Sequence, residues 1–206
     1  MRYTGPKNRI ARRENMDLGL KTPGSKSQAN LLKKISLLQG QHGANGRRKV
    51  SEHAQQLREK QKMRFMYGVT EKQMKNYFKS AVARTGNTGL HLTRFLEKRL
   101  DTIVHRLGFA PTRASARQLI THKHISVNDQ ILNVASHQLR IGDVVKIAKD
   151  SSAKIPAIAT SLEKKDLIMP EWLERQGTAG SLKAEPNTDS IAQQINIRLV
   201  IEFYSR

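Results

Sequence analysis

The fold is decided by the stretch from Arg94 to Lys149, which reads RFLEKRLDTIVHRLGFAPTRASARQLITHKHISVNDQILNVASHQLRIGDVVKIAK. Apolar side chains recur in it and just before it at helical spacing, and they predict one packing stripe. The stripe consists of Leu92, Leu96, Leu100, Ile103, Val104 and Leu107. Arg99 and Arg106 fall outside this stripe, so we expect both to face solvent or a ligand. Gly108 is expected to end the helix.

A second basic helix is predicted to begin after Pro111, with Thr112 as its N-cap. Arg113 and Arg117 lie four residues apart on it, which places two guanidinium groups along one edge. Two fork-shaped donors at this spacing suit successive phosphates. The polar edge is extended by three further residues: His122, Lys123 and His124.

A short antiparallel sheet is predicted to follow the second helix. Residues 125–127 alternate like a strand, and Asn128-Asp129 fits a hairpin turn before a returning strand that begins at Ile131. Another short strand is predicted over residues 144–147. From spacing alone, a small α+β core with solvated arginines is as consistent with this pattern as an RNA-binding surface.

The segment resembles the αL RNA-binding module, whose pattern runs roughly RLD-x-x-V-x-R-x-G, then SR-x-x-ARQ-x-I-x-HGHI-x-VN, then GD-x-I. The matching residues are Arg99-Leu100-Asp101, Val104, Arg106, Gly108, Ala116-Arg117-Gln118, Ile120, His122, His124-Ile125, Val127-Asn128 and Gly142-Asp143. The resemblance implies two helices packed on a short antiparallel sheet, with RNA as the ligand.

Three residues depart from the pattern of this module: Thr112 replaces a Ser, Lys123 replaces the Gly between the histidines, and Asp129 replaces a common Gly in the hairpin. If that Gly between the histidines serves a positive φ, Lys123 predicts a changed turn or a strained backbone. Lys123 also adds a cation.

The composition predicts a polyanionic partner. The 206 residues contain 37 Lys and Arg against 17 Asp and Glu, a net charge of +20, and such an imbalance opposes compaction by self-repulsion. Nucleic acid is favoured over an anionic membrane, because there is no long apolar run or amphipathic anchor. Residues 1–100 carry a net charge of +17 and residues 101–206 only +3, so we expect the N-terminal half to face RNA and the tail to contact protein.

Four segments are predicted along the chain: a basic N-terminal arm at 1–50, the helical part of an rRNA-binding domain at 51–92, the αL module at 93–150, and a C-terminal segment at 151–206 that returns to the helical domain. The arm is expected to be too polar to fold independently and to order on its partner. The fold class is therefore α+β, with a mostly helical N-terminal domain, a basic flexible arm and an inserted αL-type module.

Residues 51–92 predict two helices. Ser51 is the expected N-cap of the first, which ends at Gly68, and Thr70 with Gln73 forms a capping box for the second. The expected apolar face of the second helix consists of Met74, Tyr77, Phe78, Ala81 and Val82. The aromatic residues Tyr67, Tyr77 and Phe78 could stack on bases, but helical spacing favours a role in the core.

The tail predicts a helix from Ile158 to Lys165, a turn or short helix around Trp172, and a terminal strand over residues 195–203, where apolar and polar residues alternate. We expect this strand to dock on the helical domain.

The whole chain resembles the family of bacterial-type small-subunit ribosomal protein four. The residues that carry this resemblance are Arg2-Tyr3-Thr4-Gly5-Pro6-Lys7, Gly40-Gln41-His42-Gly43, Leu57-Arg58-Glu59-Lys60-Gln61-Lys62, Tyr67-Gly68-Val69, Glu71-Lys72-Gln73 and Glu202-Phe203-Tyr204-Ser205-Arg206. It implies a primary binder of small-subunit rRNA that engages a multi-helix junction in the 5′ domain and nucleates assembly of the subunit body.

The same resemblance implies partners and a place in the ribosome. It implies contact with small-subunit protein five and other small-subunit proteins, a role in decoding accuracy, and a position near the channel by which messenger RNA enters. It further implies a monomer within the ribosome, with no membrane contact. Glu202, Tyr204 and Arg206 are assigned by resemblance to packing and to the interface with the neighbouring protein. We expect a cytosolic location, although the basic opening of the chain leaves an organellar ribosome open.

Many members of this family carry four zinc-binding cysteines in the N-terminal arm. The corresponding positions here are Asn8, Ala11, Ser25 and Asn30. Because the chain contains no cysteine, disulfides and thiol chemistry are excluded, and we expect a zinc-free form without any cofactor.

Two other classes of function were weighed. The αL module also occurs appended to pseudouridine synthases and tyrosyl-tRNA synthetases, but the roughly 90 residues before it are too basic for a catalytic domain, and the seven histidines form no convincing constellation. No enzyme is therefore predicted. Repression of the chain's own messenger, as a second role beside the ribosomal one, stays open.

The predicted mechanism is recognition of shape and phosphate, in which cations neutralise phosphates at an RNA junction and release counterions. The candidate RNA-binding residues are Arg12, Arg13, Lys33, Lys34, Arg47, Arg48, Lys49, Arg58, Lys60, Lys62, Arg64, Lys72, Arg106, Arg113, Arg117, His122, Lys123 and His124.

Overall fold

The computed structural model describes residues 3–41, 43, 49–149, 155–162, 169–187, 191 and 193–205. The chain divides into two compact units, of which the first contains residues 1–92 and 189–206 and the second contains residues 93–188. The second unit thus includes the part of the tail from 169 to 187, beyond the end predicted for the module. None of the described helices is both long and apolar enough to span a membrane.

The described part of the first unit is built from helices. They are α1 (Lys7–Glu14), α2 (Lys26–Lys33), α3 (Glu52–Tyr67), α4 (Glu71–Val82), the start of α5 (Thr88–Glu97) and the C-terminal helix α9 (Ile197–Ser205). The predicted ends of α3 and the predicted start of α4 are confirmed. The Ser51 hydroxyl accepts a hydrogen bond from the backbone N–H of Ala54, Gly68 ends α3 at a φ of 61°, and Thr70 and Gln73 form a capping box.

Aromatic residues of the first unit belong to its core. Tyr67 and Phe78 are buried, as predicted, and Tyr77 is half-buried. Val82, which was expected on the packed face of α4, is 55% exposed because it lies in the last turn of the helix.

The N-terminal arm has more structure than its composition predicts. The Ser25 side chain caps α2 by accepting from the backbone N–H of Gln28. Four apolar side chains of the arm are buried: Ile10, Ala11, Leu18 and Leu31. A few apolar residues, each placed by a short capped helix or a turn, therefore give the arm a small core despite its polarity.

The prediction of a C-terminal strand is wrong, since residues 197–205 form α9. The alternation of apolar residues is real, but Ile197, Val200, Ile201 and Tyr204 also recur at helical spacing, and only the helix lets this stripe pack against α3 and α4. At Gly89 a Cβ atom would lie 2.8 Å from Cγ2 of Ile197, so the glycine allows close approach of α9 to the start of α5.

The second unit packs helices on one antiparallel sheet, which confirms the predicted α+β class. After α5 come α6 (Leu100–Arg106), α7 (Arg113–Thr121), β1 (Ile125–Val127), β2 (Gln130–Ile131), β3 (Val144–Ile147), α8 (Pro156–Leu162), β4 (Leu173–Gln176) and β5 (Ala179–Leu182). The strand order is β2-β1-β3-β5-β4. The predicted stripe from Leu92 to Leu107 is confirmed, because all six of its side chains are fully buried.

Two strands of this sheet were missed by the sequence analysis. The hairpin of β4 and β5 follows Trp172, and β5 pairs with β3. Only a turn or short helix was predicted around this tryptophan; the turn is present and a strand follows it. The signal is weak because β5 contains Gly180, whose added Cβ would lie 2.5 Å from Cδ2 of Leu107. The strand therefore has a glycine where Leu107, at the end of α6, packs against the sheet. A glycine lowers the strand propensity of a sequence, so β5 was not recognised.

The predicted hairpin turn between β1 and β2 is confirmed. Asn128 and Asp129 have φ values of 48° and 63°, as a two-residue turn with left-handed geometry at both central positions requires. The Asn128 side chain is held by the next strand, because its Nδ2 donates to Oδ1 of Asp143 at 2.9 Å and its Oδ1 accepts from the backbone N–H of Val144 at 3.0 Å.

Candidate RNA-binding surfaces

Arg99 lies inside the module, so the expectation that it faces solvent is wrong. Its side chain is fully buried and donates from Nε and Nη2 to the two carboxylate oxygens of Asp101, at 3.0 and 2.6 Å. The reason is a break in the predicted helix, since Arg99 has an extended backbone and serves as the N-cap position of α6. This break turns the arginine from the outer face towards the core.

Arg106 is held inside the second unit rather than presented freely. Its Nε and Nη2 donate to the carboxylate oxygens of Glu97 at 3.2 and 2.9 Å, and the Glu97 side chain is only 1% exposed. A buried carboxylate needs a charged partner, so this arginine stabilises the contact between α5 and α6. The Arg106 side chain keeps 26% of its surface exposed, and its RNA-binding role stays a prediction.

Lys60 is likewise committed inside the first unit. It is only 5% exposed, its Nζ lies 3.0 Å from Oε1 of Glu71, and the same Nζ lies 4.4 Å from the ring centroid of Phe203. The charge therefore joins α3 to α4 through an ion pair and α3 to α9 through a cation–π contact. This burial leaves Lys60 little surface for a phosphate, and its RNA-binding role stays a prediction.

Three other predicted residues are partly engaged with neighbours in the first unit. Arg12 donates from Nε and Nη2 to the carbonyl oxygens of Leu37 and Leu38, each at 2.9 Å. Arg58 pairs with Glu14 at 3.1 Å and keeps 41% of its side chain exposed. Lys62 pairs with Glu59 at 2.6 Å. The fourth cation of α3, Arg64, lies half-buried over the ring of Phe65, 4.4 Å from its centroid.

The remaining cations predicted for the first unit are exposed where the structure describes them. They are Arg13, Lys33, Lys34, Lys49 and Lys72. Arg47 and Arg48 lie outside the described residues. These exposed cations can neutralise phosphates without breaking an internal ion pair.

In the second unit, α7 presents the predicted basic edge. The hydroxyl of Thr112 accepts from the backbone N–H of Ser115 at 3.1 Å and fixes the start of the helix, as predicted. Arg113 and Arg117 follow at a spacing of four residues, and both are half-buried. His122 and Lys123 are exposed directly after the helix. Half-burial restricts the motion of an arginine side chain, which makes it a stiff donor for a phosphate.

Lys123 occupies the left-handed position that ends α7. Its φ is 62°, its N–H donates to the Ile120 carbonyl at 2.9 Å, and the N–H of His124 donates to the Leu119 carbonyl at 3.0 Å. These two bonds form a Schellman motif, in which glycine is the favoured residue. The turn itself is thus kept, and Lys123 adopts the positive φ that favours glycine.

The rings of His122 and His124 flank Lys123 on either side. Their planes are parallel within 1° and their centroids are 6.3 Å apart. The two imidazoles therefore present flat faces beside the lysine, which suits contact with ribose and phosphate groups.

His105 lies behind this edge with a strongly shifted pKa. Burial, together with the positive charge of Arg113, lowers its pKa from 6.5 to about 4. Its Nδ1 is 3.1 Å from the carbonyl oxygen of Ala110. The imidazole is therefore neutral at pH 7 and adds no charge to the surface.

The residues assigned to a protein interface pack within the first unit. Tyr204 donates to Oε1 of Glu71 at 2.7 Å and stacks on Phe78 with centroids 5.1 Å apart, and its burial and the bond to Glu71 raise the pKa of its hydroxyl. Glu202 is exposed but accepts from Nε2 of Gln56 at 3.1 Å. Arg206 lies outside the described residues.

The positions that correspond to zinc ligands in other members do not fit a metal ion here. Asn8 donates to the carbonyl oxygen of Ser27 at 3.1 Å, Ser25 caps α2, Ala11 is buried and Asn30 is exposed. The Asn8 hydrogen bond thus connects the two arm helices, and the Ser25 cap fixes the start of α2, where thiolates would coordinate zinc. Within the described ranges, no group of three or more His, Asp or Glu side chains is placed to hold a metal ion.

Comparison with known proteins identifies the family of the chain. The family model described as "Ribosomal protein S4/S9 N-terminal domain" matches residues 2–97, and the one described as "S4 domain" matches residues 98–145. Proteins named "Small ribosomal subunit protein uS4" from Variovorax paradoxus (strain S110) and Polaromonas naphthalenivorans (strain CJ2) are each 43% identical to the chain, and one from Chromobacterium violaceum is 42% identical. Each match covers 100% of this chain and 99% of the relative.

The chain belongs to the uS4 family of small-subunit ribosomal proteins.

This membership confirms the resemblance, the RNA-binding module and the role in translation. The uS4 relatives are bacterial ribosomal proteins, not enzymes, so the chain is a structural component of the cytoplasmic ribosome.

One feature of this uS4 chain was missed from sequence. A cleft between α1 and α3 is lined by Arg9, Gln39 and Gln61, among other residues. Only the helical spacing of the α3 residues that line it could have indicated this cleft.

Lys123 offers a test of the strained turn. We expect Lys123→Gly to raise the free energy of unfolding by roughly 1 kcal/mol relative to Lys123→Ala, because only glycine adopts this φ without a steric cost. Urea denaturation measures this difference. Both variants lack the same cation, so they should lose RNA affinity equally. Equal stability of the two variants would show that the turn is unstrained.

His105 predicts a pH dependence of stability. Its pKa is about 4 in the folded chain and near 6.5 when unfolded, so between these values only the unfolded state gains the proton. The free energy of unfolding should therefore rise from pH 4 to 6.5 by at most about 3 kcal/mol from this residue. Urea denaturation across this range should give a smaller rise for His105→Gln. An unchanged pH profile in this variant would contradict the assignment.

Proposed function

We propose that the chain is a primary binder of small-subunit rRNA. In this role it engages a multi-helix junction of the 5′ domain, nucleates assembly of the subunit body and contributes to decoding accuracy. The observation that carries this proposal is the paired presentation of Arg113 and Arg117 by a capped helix, beside exposed Lys123. Family membership supports a role in the ribosome, and the cations of the α7 edge can bind RNA phosphates.

The proposed mechanism is neutralisation of phosphates by cations that are held in place before binding. A-form RNA presents phosphates and 2′-hydroxyls rather than readable base edges in its deep groove, so shape and backbone dominate recognition. Each phosphate that a lysine or arginine neutralises releases condensed counterions. A half-buried arginine has lost part of its side-chain freedom already, which lowers the entropy cost of binding.

Each of the two units carries its own set of such cations. Arg13, Lys33, Lys34, Lys49 and Lys72 are exposed in the first unit, and the α7 edge belongs to the second. A junction of several RNA helices offers more than one phosphate backbone to such a protein. Binding of the two units to different RNA helices would hold the junction in one arrangement. A junction fixed in this way would nucleate assembly of the subunit body.

The cations that are paired internally have a supporting role in this proposal. Glu97 holds Arg106 behind the α7 edge, and Glu59 accepts from both Lys62 and the backbone N–H of Asn196, which anchors the start of α9. The outer surface of α9, with the exposed side chain of Glu202, is proposed as the contact for small-subunit protein five or another neighbour.

The test is a salt titration of binding to a fragment of the rRNA 5′ domain. We expect the double variant Arg113→Ala with Arg117→Ala to bind more weakly and to reduce the slope of log affinity against log salt by about 2, one for each phosphate contact. The matched control is Arg140→Ala with Lys149→Ala, which removes the same charge from exposed positions of the same unit.

The control separates local contact from overall charge. If both double variants reduce affinity and slope equally, the effect is one of net charge and the α7 edge is not the binding site. Circular dichroism and urea denaturation of each variant verify that the fold is kept.

A further inference from the structure

A cleft of 410 Å³ lies between α1 and α3 in the first unit, and the proposed function leaves it without a role. The lining positions on α3 recur every three or four residues along one face and include Leu57, Gln61 and Phe65. α1 contributes Arg9 and Arg13 from the opposite wall. The ends of the cleft are completed by residues from outside these helices, Tyr3 and Gln39. This volume falls within the range of sites that hold a small organic ligand.

Three buried polar atoms in this cleft have no hydrogen-bond partner. They are Oε1 of Gln39, Oε1 of Gln61 and Nε of Arg64, and all three residues line the cleft. Buried polar groups without a partner are uncommon and costly, so three on residues that line one cleft point to an occupant that supplies the missing bonds. The occupant must offer hydrogen-bond donors to the two glutamines and an acceptor to the arginine.

The cleft also offers flat surfaces for stacking. The ring of Tyr3 meets the ring of Phe65 edge-on, with centroids 5.7 Å apart and planes at 76°. The guanidinium of Arg64 lies over the same Phe65 ring, 4.4 Å from its centroid. Tyr3 is 47% exposed, so one of its faces is accessible from solvent. Nucleobases stack on aromatic rings and on guanidinium planes of this kind.

The charges of the cleft favour an anionic ligand. Glu14 is the acidic residue in its lining, and Arg58 pairs with it at 3.1 Å, which compensates its charge and ties α1 to α3. Arg9 and Arg13 are exposed on the α1 wall, and neither forms an ion pair with any residue that the structure describes. They can therefore bind a phosphate while the ligand's base enters the cleft.

Arg12 fixes the position of one lining residue. Its guanidinium donates to the carbonyl oxygens of Leu37 and Leu38, which immediately precede Gln39 in the chain. These bonds hold the segment that carries Gln39 against α1. Arg12 is therefore a positioning residue for the cleft rather than a contact for the ligand.

We propose that this cleft receives one unstacked nucleotide of the rRNA, with guanine as the base; the inference rests on the proposed function. Guanine carries N–H donors at N1 and N2 for the two glutamine oxygens, and acceptors at O6 and N7 for Arg64. Its ring stacks beside Tyr3 and Phe65, and its phosphate lies at Arg9 and Arg13. Single-stranded loops and junctions of RNA contain such splayed bases. The N-terminal unit would thereby recognise one base in addition to shape and phosphate.

The experiment uses the full chain and a fragment of the rRNA 5′ domain that contains the junction. A glyoxal reagent that modifies N1 and N2 of guanine maps the bases protected by the wild-type chain. We expect one guanine outside the duplexes to lose its protection with Gln61→Leu and also with Gln39→Leu. Each variant should bind about tenfold more weakly with an unchanged salt slope, because a base contact and no phosphate contact is lost. Arg13→Ala should instead reduce the slope by about 1.

The matched control is Gln55→Leu, on an exposed position of the same helix. If Gln61→Leu and Gln39→Leu equal this control in affinity and in guanine protection, no base enters the cleft and the inference fails. A change with Arg13→Ala alone would reduce the cleft to a phosphate contact and would also overturn it. If the wild-type chain binds the fragment no better than an unrelated RNA, the proposed function itself fails. The two glutamines lie on different segments, so misfolding of one variant leaves the other as a test.

Discussion

The second unit depends on the buried ion pair between Arg99 and Asp101. The pair lies where the chain enters α6, and there the backbone of residues 98–101 bonds to residues 135–139: the Leu100 N–H donates to the His137 carbonyl and the Leu139 N–H to the Lys98 carbonyl, each at 2.9 Å. Removing one partner of such a pair costs about 3–5 kcal/mol, because the other charge stays buried and unpaired. α6 packs on α7, so the same pair fixes the helix that presents the basic edge.

A second feature of the structure is that the chain's few carboxylates divide its many cations into paired and exposed ones. Glu97 and Glu71 each bind a cation within their own unit. Glu14 and Glu59 each bind a cation of α3. Three of these pairs join helices to one another. Among the residues that the structure describes, cations such as Lys33 and Lys34 are exposed and form no ion pair. The excess positive charge is thus a division of labour, in which internal pairs stabilise the fold and the remaining cations attract a polyanion. This division explains how a net charge of +20 is compatible with compact units.

Much of this was predictable from local sequence, and the failures have specific physical causes. Helix caps at Ser51, Thr70 and Thr112 and the turn at Asn128-Asp129 are local features, so the sequence identifies them correctly. The burial of Arg99 could not be seen, because it depends on a break in an otherwise continuous apolar stripe and on a carboxylate two residues away. Residues 197–205 satisfy both strand and helix periodicity, and only packing on α3 and α4 decides between them. The cleft between α1 and α3 combines residues far apart in sequence, and the helical spacing within α3 indicates only one of its walls.

The central claim is that this chain recognises a folded RNA junction, and not merely negative charge. The most direct measurement compares its affinity for the rRNA 5′ domain with that for an RNA of equal length whose junction is disrupted, over a series of salt concentrations. We expect the preference for the intact junction to persist at high salt, because shape and base contacts do not depend on counterion release. Equal affinities for the two RNAs that fall together as salt rises would contradict the account.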